Sequence, residues 1–230
     1  MPLSEVRWLQ QTELDVPQDD SWLSAAEADQ AAKFRFPKRR SDWRLGRWTA
    51  KQAVAMYLGL PTDTASLARV EIRPTTSGSP EVFLSNQPAK TAMSLSHRNG
   101  TAMCAVAAAD VHLGCDLEIV EPHTEAFVRD YFTPEEQALV KARSENRDLL
   151  VALIWSAKES ALKASGAGLR EDTRSVSVCG VDQIAANRGW AELSVRMREN
   201  QVVSGWWQCS NLLLRTMIVT PTAQLPVQLK

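Results

Sequence analysis

Ala102–Ala109 reads Ala-Met-Cys-Ala-Val-Ala-Ala-Ala, small and apolar throughout, and Gly114-Cys115-Asp116-Leu117-Glu118 follows close behind. A run of this kind is a buried strand, so the second segment is read as the end of one. Side chains at i and i+2 of a strand project from the same face. Asp116 and Glu118 therefore point together, with Cys115 and Leu117 on the other side. Two carboxylates a few ångströms apart repel strongly at low dielectric. They are tolerated if a cation sits between them, if they share a proton, or if water reaches both. Hard divalent ions want oxygen ligands of this type and keep substrate phosphates and waters as the remainder. Taken alone, the pair also fits a solvated strand end.

The rest of the chain narrows the function classes. Its 230 residues suffice for one large domain or two small ones. A formal net charge of −1 argues against a general nucleic-acid surface, and no apolar run is long enough to span a membrane. The start, Met-Pro-Leu-Ser-Glu-Val-Arg-Trp, has no basic segment or apolar h-region, so no secretory signal is visible. Cys104, Cys115, Cys179 and Cys209 are scattered without a C-x-x-C pair, which fits reduced thiols of a cytoplasmic protein. Three histidines, His97, His112 and His123, make a His-rich zinc site a poor expectation.

Charge is distributed unevenly. Between Lys33 and Lys51 there are eight cations against one acid, Asp42. The segment after Pro37 reads as a helix ending near Gly59-Leu60-Pro61. On it Arg40, Arg44, Arg47 and Lys51 form one stripe, flanked by Arg39. Such a stripe is either a solvated face or a place where an anion, most simply phosphate, relieves repulsion among like charges. Further on, Ser24 with Glu27 and Thr133 with Glu136 fit capping boxes. A longer helix is expected from Arg147 to about Ser165, closing near Gly166-Ala167-Gly168. Its apolar stripe is Leu149, Leu150, Leu153, Ile154, Ala157 and Ala161, and Trp155, Glu159 and Lys163 stack on the opposite side. That face is either an exposed Glu-to-Lys ladder or the wall of a cleft. The tail after Pro221 is expected to be loose, and no internal sequence repeat stands out. A third acid from Glu159 would complete an open oxygen site for Mg²⁺, and the cations nearby suit a ligand with several phosphates. Physical chemistry alone reaches metal-assisted chemistry on a polyphosphorylated ligand.

Gly114-Cys115-Asp116-Leu117-Glu118 and Trp155-Ser156-Ala157-Lys158-Glu159-Ser160-Ala161-Leu162-Lys163 resemble the G-x-D-x-E and W-x-x-K-E-x-x-x-K blocks of Sfp-type 4′-phosphopantetheinyl transferases. Ser94-Leu95-Ser96-His97 is similar to that family's S-x-S-H block, and Lys38-Arg39-Arg40 through Gly46-Arg47 to its basic block. The resemblance implies an α/β (α+β) fold of two similar halves related by a pseudo-twofold axis, here 1–112 and 113–230. It implies transfer of the 4′-phosphopantetheine arm of coenzyme A to a serine of an apo acyl or peptidyl carrier protein, with release of adenosine 3′,5′-bisphosphate. Carried over, Asp116, Glu118 and Glu159 hold Mg²⁺ (Mn²⁺ being the alternative), and Glu159 also assists deprotonation. Lys163, with Lys158 nearby, stabilises the pyrophosphate or leaving nucleotide. Arg39, Arg40, Arg47, Ser96 and His97 contact the nucleotide phosphates. A monomer is expected, without nucleic-acid or membrane partners. Two departures stand out: Gly78-Ser79-Pro80 occupies the place of a Gly-Lys-Pro loop, and Arg98, where the family often has Ser, could restore the lost charge. The competing readings are a silent module that binds coenzyme A or a carrier protein, and a metal-dependent phosphoesterase.

Overall fold

The computed structural model describes residues 4–166, 171–181 and 189–230, with the side chain of Glu199 excepted. Ala167 and Gly168, expected near the end of the long second helix, lie outside the described residues. In chain order the elements are β1 (Arg7–Thr12), α1 (Ala25–Ala32), α2 (Pro37–Tyr57), α3 (Thr64–Leu67), β2 (Val70–Pro74), β3 (Pro80–Leu84), β4 (Gln87–Pro88), β5 (Thr91–Arg98), β6 (Thr101–Ala108) and β7 (His112–Ile119). There follow α4 (Glu125–Tyr131), α5 (Pro134–Ala142), α6 (Arg147–Ala164), β8 (Ser177–Val181), β9 (Ala191–Arg196), β10 (Val202–Ser210), β11 (Leu213–Thr220) and β12 (Val227–Gln228). The fold is α/β.

One sheet runs β12-β1-β6-β5, the other β7-β11-β10-β9-β8, and β2-β3-β4 forms a third, small sheet. The uninterrupted apolar character of Ala102–Ala107 has a simple cause. Cys104 and Val106 pack with Leu9, Ala50, Ala53 and Val54 under α2. Met103, Ala105 and Ala107 pack with Trp8, Cys115, Leu117 and Met217 in a layer shared with the second sheet. With both faces of β6 buried, neither can carry a polar side chain. A third core, built on Leu150, Leu153, Ile154, Ala157 and Ala161 of α6, lies against β8–β11.

The connectivity occurs twice. In each half a first strand leads through a capped helix and a long helix to a hairpin (β2-β3, β8-β9). Two further strands follow, the last of which pairs antiparallel with the first (β6 with β1, β11 with β7). A buried ion pair is repeated as well. Glu27 completes the capping box of Ser24, accepts the Ile72 N–H of β2 at 3.1 Å, and pairs with Lys51 of α2. Glu136 completes the box of Thr133, accepts the Val178 N–H of β8 at 2.8 Å, and pairs with Lys158 of α6 at 2.5 Å. Each lysine is fully buried and stacks on an aromatic ring, Lys51 on Trp22 and Lys158 on Phe132, both at 5.6 Å. The two lysines belong to an aligned pair of segments, Trp48-Thr49-Ala50-Lys51 and Trp155-Ser156-Ala157-Lys158. Gly59 and Gly166 then end both helices at φ 67° and 74°. An internal repeat therefore exists where the sequence reading found none.

The tail is not loose. β12 adds to β1 in parallel, and Ala223 and Leu229 are buried. Among the described residues no helix is long and apolar enough to cross a membrane.

Candidate active site

β7 sends Cys115 and Leu117 into the layer between the sheets and turns Gly114, Asp116 and Glu118 toward α6. Gly114 makes the approach of α6 possible: a Cβ there would lie 1.8 Å from the Ser160 carbonyl oxygen. With the helix this close, Lys163 Nζ donates to Asp116 Oδ1 at 2.7 Å and to the Cys115 carbonyl at 3.0 Å. Glu159 lies one turn earlier, 3.8 Å from Lys163 Nζ. Trp155 starts this row, and its indole N–H favours the charged form of Glu118. The stack Trp155, Glu159, Lys163 is thus a wall of the site and not a solvated ladder.

The first half supplies the other wall. β5 runs beside β7, and its alternate residues bridge the seam. Ser94 Oγ accepts the Cys115 N–H at 2.9 Å, and Ser96 Oγ donates to Asp116 Oδ1 at 2.8 Å. Arg98 Nε lies 3.2 Å from Glu118 Oε2, while Arg98 Nη2 donates to Glu121 Oε1 at 2.7 Å. Ser96 therefore orients an acid and does not offer a free hydroxyl to a phosphate. Arg98, expected to replace a lost phosphate-binding charge, is engaged by two acids.

The alternate residues Leu95 and His97 line a cavity of about 260 Å³ with Phe34, Arg39, Asp42, Trp43, Gly46 and Arg47. Arg47 stacks on Trp43 at 5.0 Å and Arg39 on Phe34 at 5.8 Å. Three of the expected phosphate contacts, Arg39, Arg47 and His97, are thus gathered around one aromatic-floored cavity. Arg40 is not among the residues lining it. It pairs with Asp20 at 2.8 Å, and Arg44 pairs with the same acid and also donates to the Pro17 carbonyl. Glu27 pairs with Lys51 and lies 3.8 Å from Arg47, so two acids from outside the helix face the four cations of the stripe. Lys158 is likewise corrected: buried with Glu136, it does not reach the site. The largest cavity described, about 670 Å³, lies between α4 and α5 and contains none of these residues.

Burial would raise the carboxyl of Asp116, but the Lys163 charge and the Lys163 and Ser96 hydrogen bonds hold it below its ordinary value. For Lys163 burial acts downward, and Asp116 leads the charges that leave it raised. Burial, followed by the Asp116 charge, pushes Glu159 up to about 8. Glu118 is raised by burial and Asp116, with Arg98 opposing. An acid held near neutrality beside a fixed anion can take up or release a proton at working pH.

These residues suit a hard divalent ion. Asp116 Oδ2 is buried without a hydrogen bond. Glu159 and Glu118 adjoin it, making an all-oxygen donor set. Among the described residues no three such side chains form a ready-made metal cage; Lys163 and Arg98 occupy Asp116 and Glu118 instead.

Residues 112–215, which contain both acidic blocks, match the family model of the 4′-phosphopantetheinyl transferase superfamily. Over that segment, a little under half of its length, the chain is similar to this superfamily. It is 29% identical over 152 residues, 64% of its length, to 4′-phosphopantetheinyl transferase HetI of Nostoc sp. strain PCC 7120. The match spans 61% of that relative. Among solved structures, the Chronobacterium ammoniagenes ACPS-CoA complex matches at 20% identity over 46% of this chain and 98% of that one, with a TM-score of 0.35. Thermotoga maritima holo-[acyl-carrier-protein] synthase matches at 21% identity over 57% and 76%, with a TM-score of 0.36.

Sequence reasoning missed the serine bridges, the twin Glu–Lys pairs, and Phe34 and Trp43 in the basic cavity. The aligned Trp-x-Ala-Lys segments were the available signal for the lysines.

Proposed function

We propose that this protein transfers 4′-phosphopantetheine from coenzyme A to a serine hydroxyl of an apo acyl or peptidyl carrier protein, releasing adenosine 3′,5′-bisphosphate. The observation that carries this reading is the meeting of Glu159 and Lys163 on Asp116 at the seam between the halves. The superfamily match covers both elements of that meeting point, β7 and α6. Asp116, Glu118 and Glu159 would hold Mg²⁺, with Mn²⁺ as substitute, which would neutralise pyrophosphate charge when bound. Arg39, Arg47 and His97 bind nucleotide phosphate in the basic cavity. Glu159 accepts the proton of the acceptor serine directly or through water. Lys163 stabilises charge growing on the leaving phosphate. The order of the four sequence blocks supports an Sfp-type enzyme. The two-halved architecture supports a monomer, and the free cysteines support a cytoplasmic location.

The test is intact mass spectrometry of purified apo carriers incubated with the protein, coenzyme A and Mg²⁺. A gain equal to one phosphopantetheine is expected. No gain on acyl or peptidyl carriers overturns the proposal, and phosphate release without a carrier would favour hydrolysis.

A further inference from the structure

Arg98 is an unusual neighbour for an ion-binding acid. It ends β5, and its backbone is fixed by pairing with Thr101 across a tight turn in which Asn99 and Gly100 have φ 48° and 71°. Alternation along β5 sends His97 to the basic cavity and Arg98 to the opposite side, where its guanidinium meets Glu118. Glu121 holds the far end of the guanidinium, so Arg98 spans two acids on β7 and the loop after it. A guanidinium stays charged at every working pH, so only displacement can free Glu118 from it. Displacement is feasible, because Arg98 is 43% exposed whereas Glu118 is 18% exposed. A cation that follows Asp116 and Glu159 into the site meets a third acid already occupied.

We propose that Arg98 competes with the divalent ion for Glu118 and so sets the metal concentration this protein requires. The inference rests on the reading of Asp116, Glu118 and Glu159 as the ion-holding acids. Arg98 is a positioning residue here: it holds Glu118 in a metal-free arrangement and must be moved aside when the ion binds. Its replacement by a small neutral residue should leave Glu118 free from the start.

The experiment is a Mn²⁺ titration followed by loss of the free-ion electron paramagnetic resonance signal, with and without coenzyme A. Wild type, Arg98→Ser, Glu118→Gln and the double variant are compared. Arg98→Ser should bind Mn²⁺ about three- to tenfold more tightly than wild type, the size expected for releasing a half-exposed ion pair. In the Glu118→Gln background the same substitution should change affinity by less than about twofold, because the residue it acts through is gone. Equal affinity of wild type and Arg98→Ser overturns the proposal. So does an equal gain in both backgrounds, which would show a general field effect of one fewer cation. Absence of Mn²⁺ binding by all four proteins overturns it together with the metal reading, whereas binding that ignores Arg98 leaves that reading standing.

Discussion

A methyl group at Gly114 would collide with the Ser160 carbonyl of α6, and backbone cannot step aside as a flexible side chain can. Gly114→Ala should therefore push α6 off β7, costing about 1–3 kcal/mol and separating Lys163 from Asp116. Urea unfolding and turnover should fall together; a variant with wild-type values would refute the close-packing account. Glu159 yields a pH prediction for the metal-free protein. The native side chain keeps its proton up to about pH 8, whereas the ordinary value is 4.5. Between those limits the native state binds more protons than the unfolded one, so this group's contribution to stability falls as pH rises. Urea midpoints in EDTA should decline over that window in wild type and decline less in Glu159→Gln. In turnover assays Glu159→Gln should also raise the metal needed for half-maximal activity. Lys163→Ala should lower turnover with metal demand nearly unchanged. Matching metal titrations for the two variants would show that their roles are not distinct.

Helix α2 shows how a stripe of like charges can be legible in a sequence while the division of labour along it is not. Its limits were legible, because Pro37 can only begin such a helix and Gly59 readily ends one. The partners of its cations were not, because Asp20 and Glu27 meet them only through tertiary packing. The helix divides by face: Arg47 fronts the cavity, and Arg40 is tied to Asp20. Arg47→Ala should weaken coenzyme A about ten- to a hundredfold through a lost charge-assisted contact, and weaken 3′-dephospho-coenzyme A less. Arg40→Ala should change only stability, by about 0.2–1 kcal/mol. Equal ligand losses for both variants, read by calorimetry, would return the whole stripe to one role. In α6, Lys158→Ala strands the buried Glu136 and should destabilise by about 3–5 kcal/mol, measurable in urea without any ligand. The resemblance implies a place for Lys158 near the site, but adjacent helical residues differ by about 100° in direction, and Lys158 faces Glu136 while Glu159 faces Asp116.

The halves share one apolar layer, in which Val6, Trp8 and Met103 meet Leu117 and Met217, and the C-terminal strand returns to β1. Unfolding should accordingly be a single transition by fluorescence and far-ultraviolet dichroism. Removing residues 222–230 should cost about 1.5–3 kcal/mol from Leu229 alone, and two separated transitions would contradict the shared layer. The acids of the site were readable because their spacing carries strand and helix periods. The seam was not, since which strand edges meet depends on how two sheets pack. Aligning the two helices places Gln52 opposite Glu159 and Met56 opposite Lys163. A symmetric pair built from two second halves would carry two acid clusters, each facing a copy of itself. Joining unequal copies in one chain leaves a single cluster and releases the sister helix from that duty, so that it can face Arg47 and Trp43 toward a cavity instead. A lopsided molecule such as a nucleotide with a long flexible arm needs ends that differ, and descent from a doubled ancestor whose copies diverged would supply them.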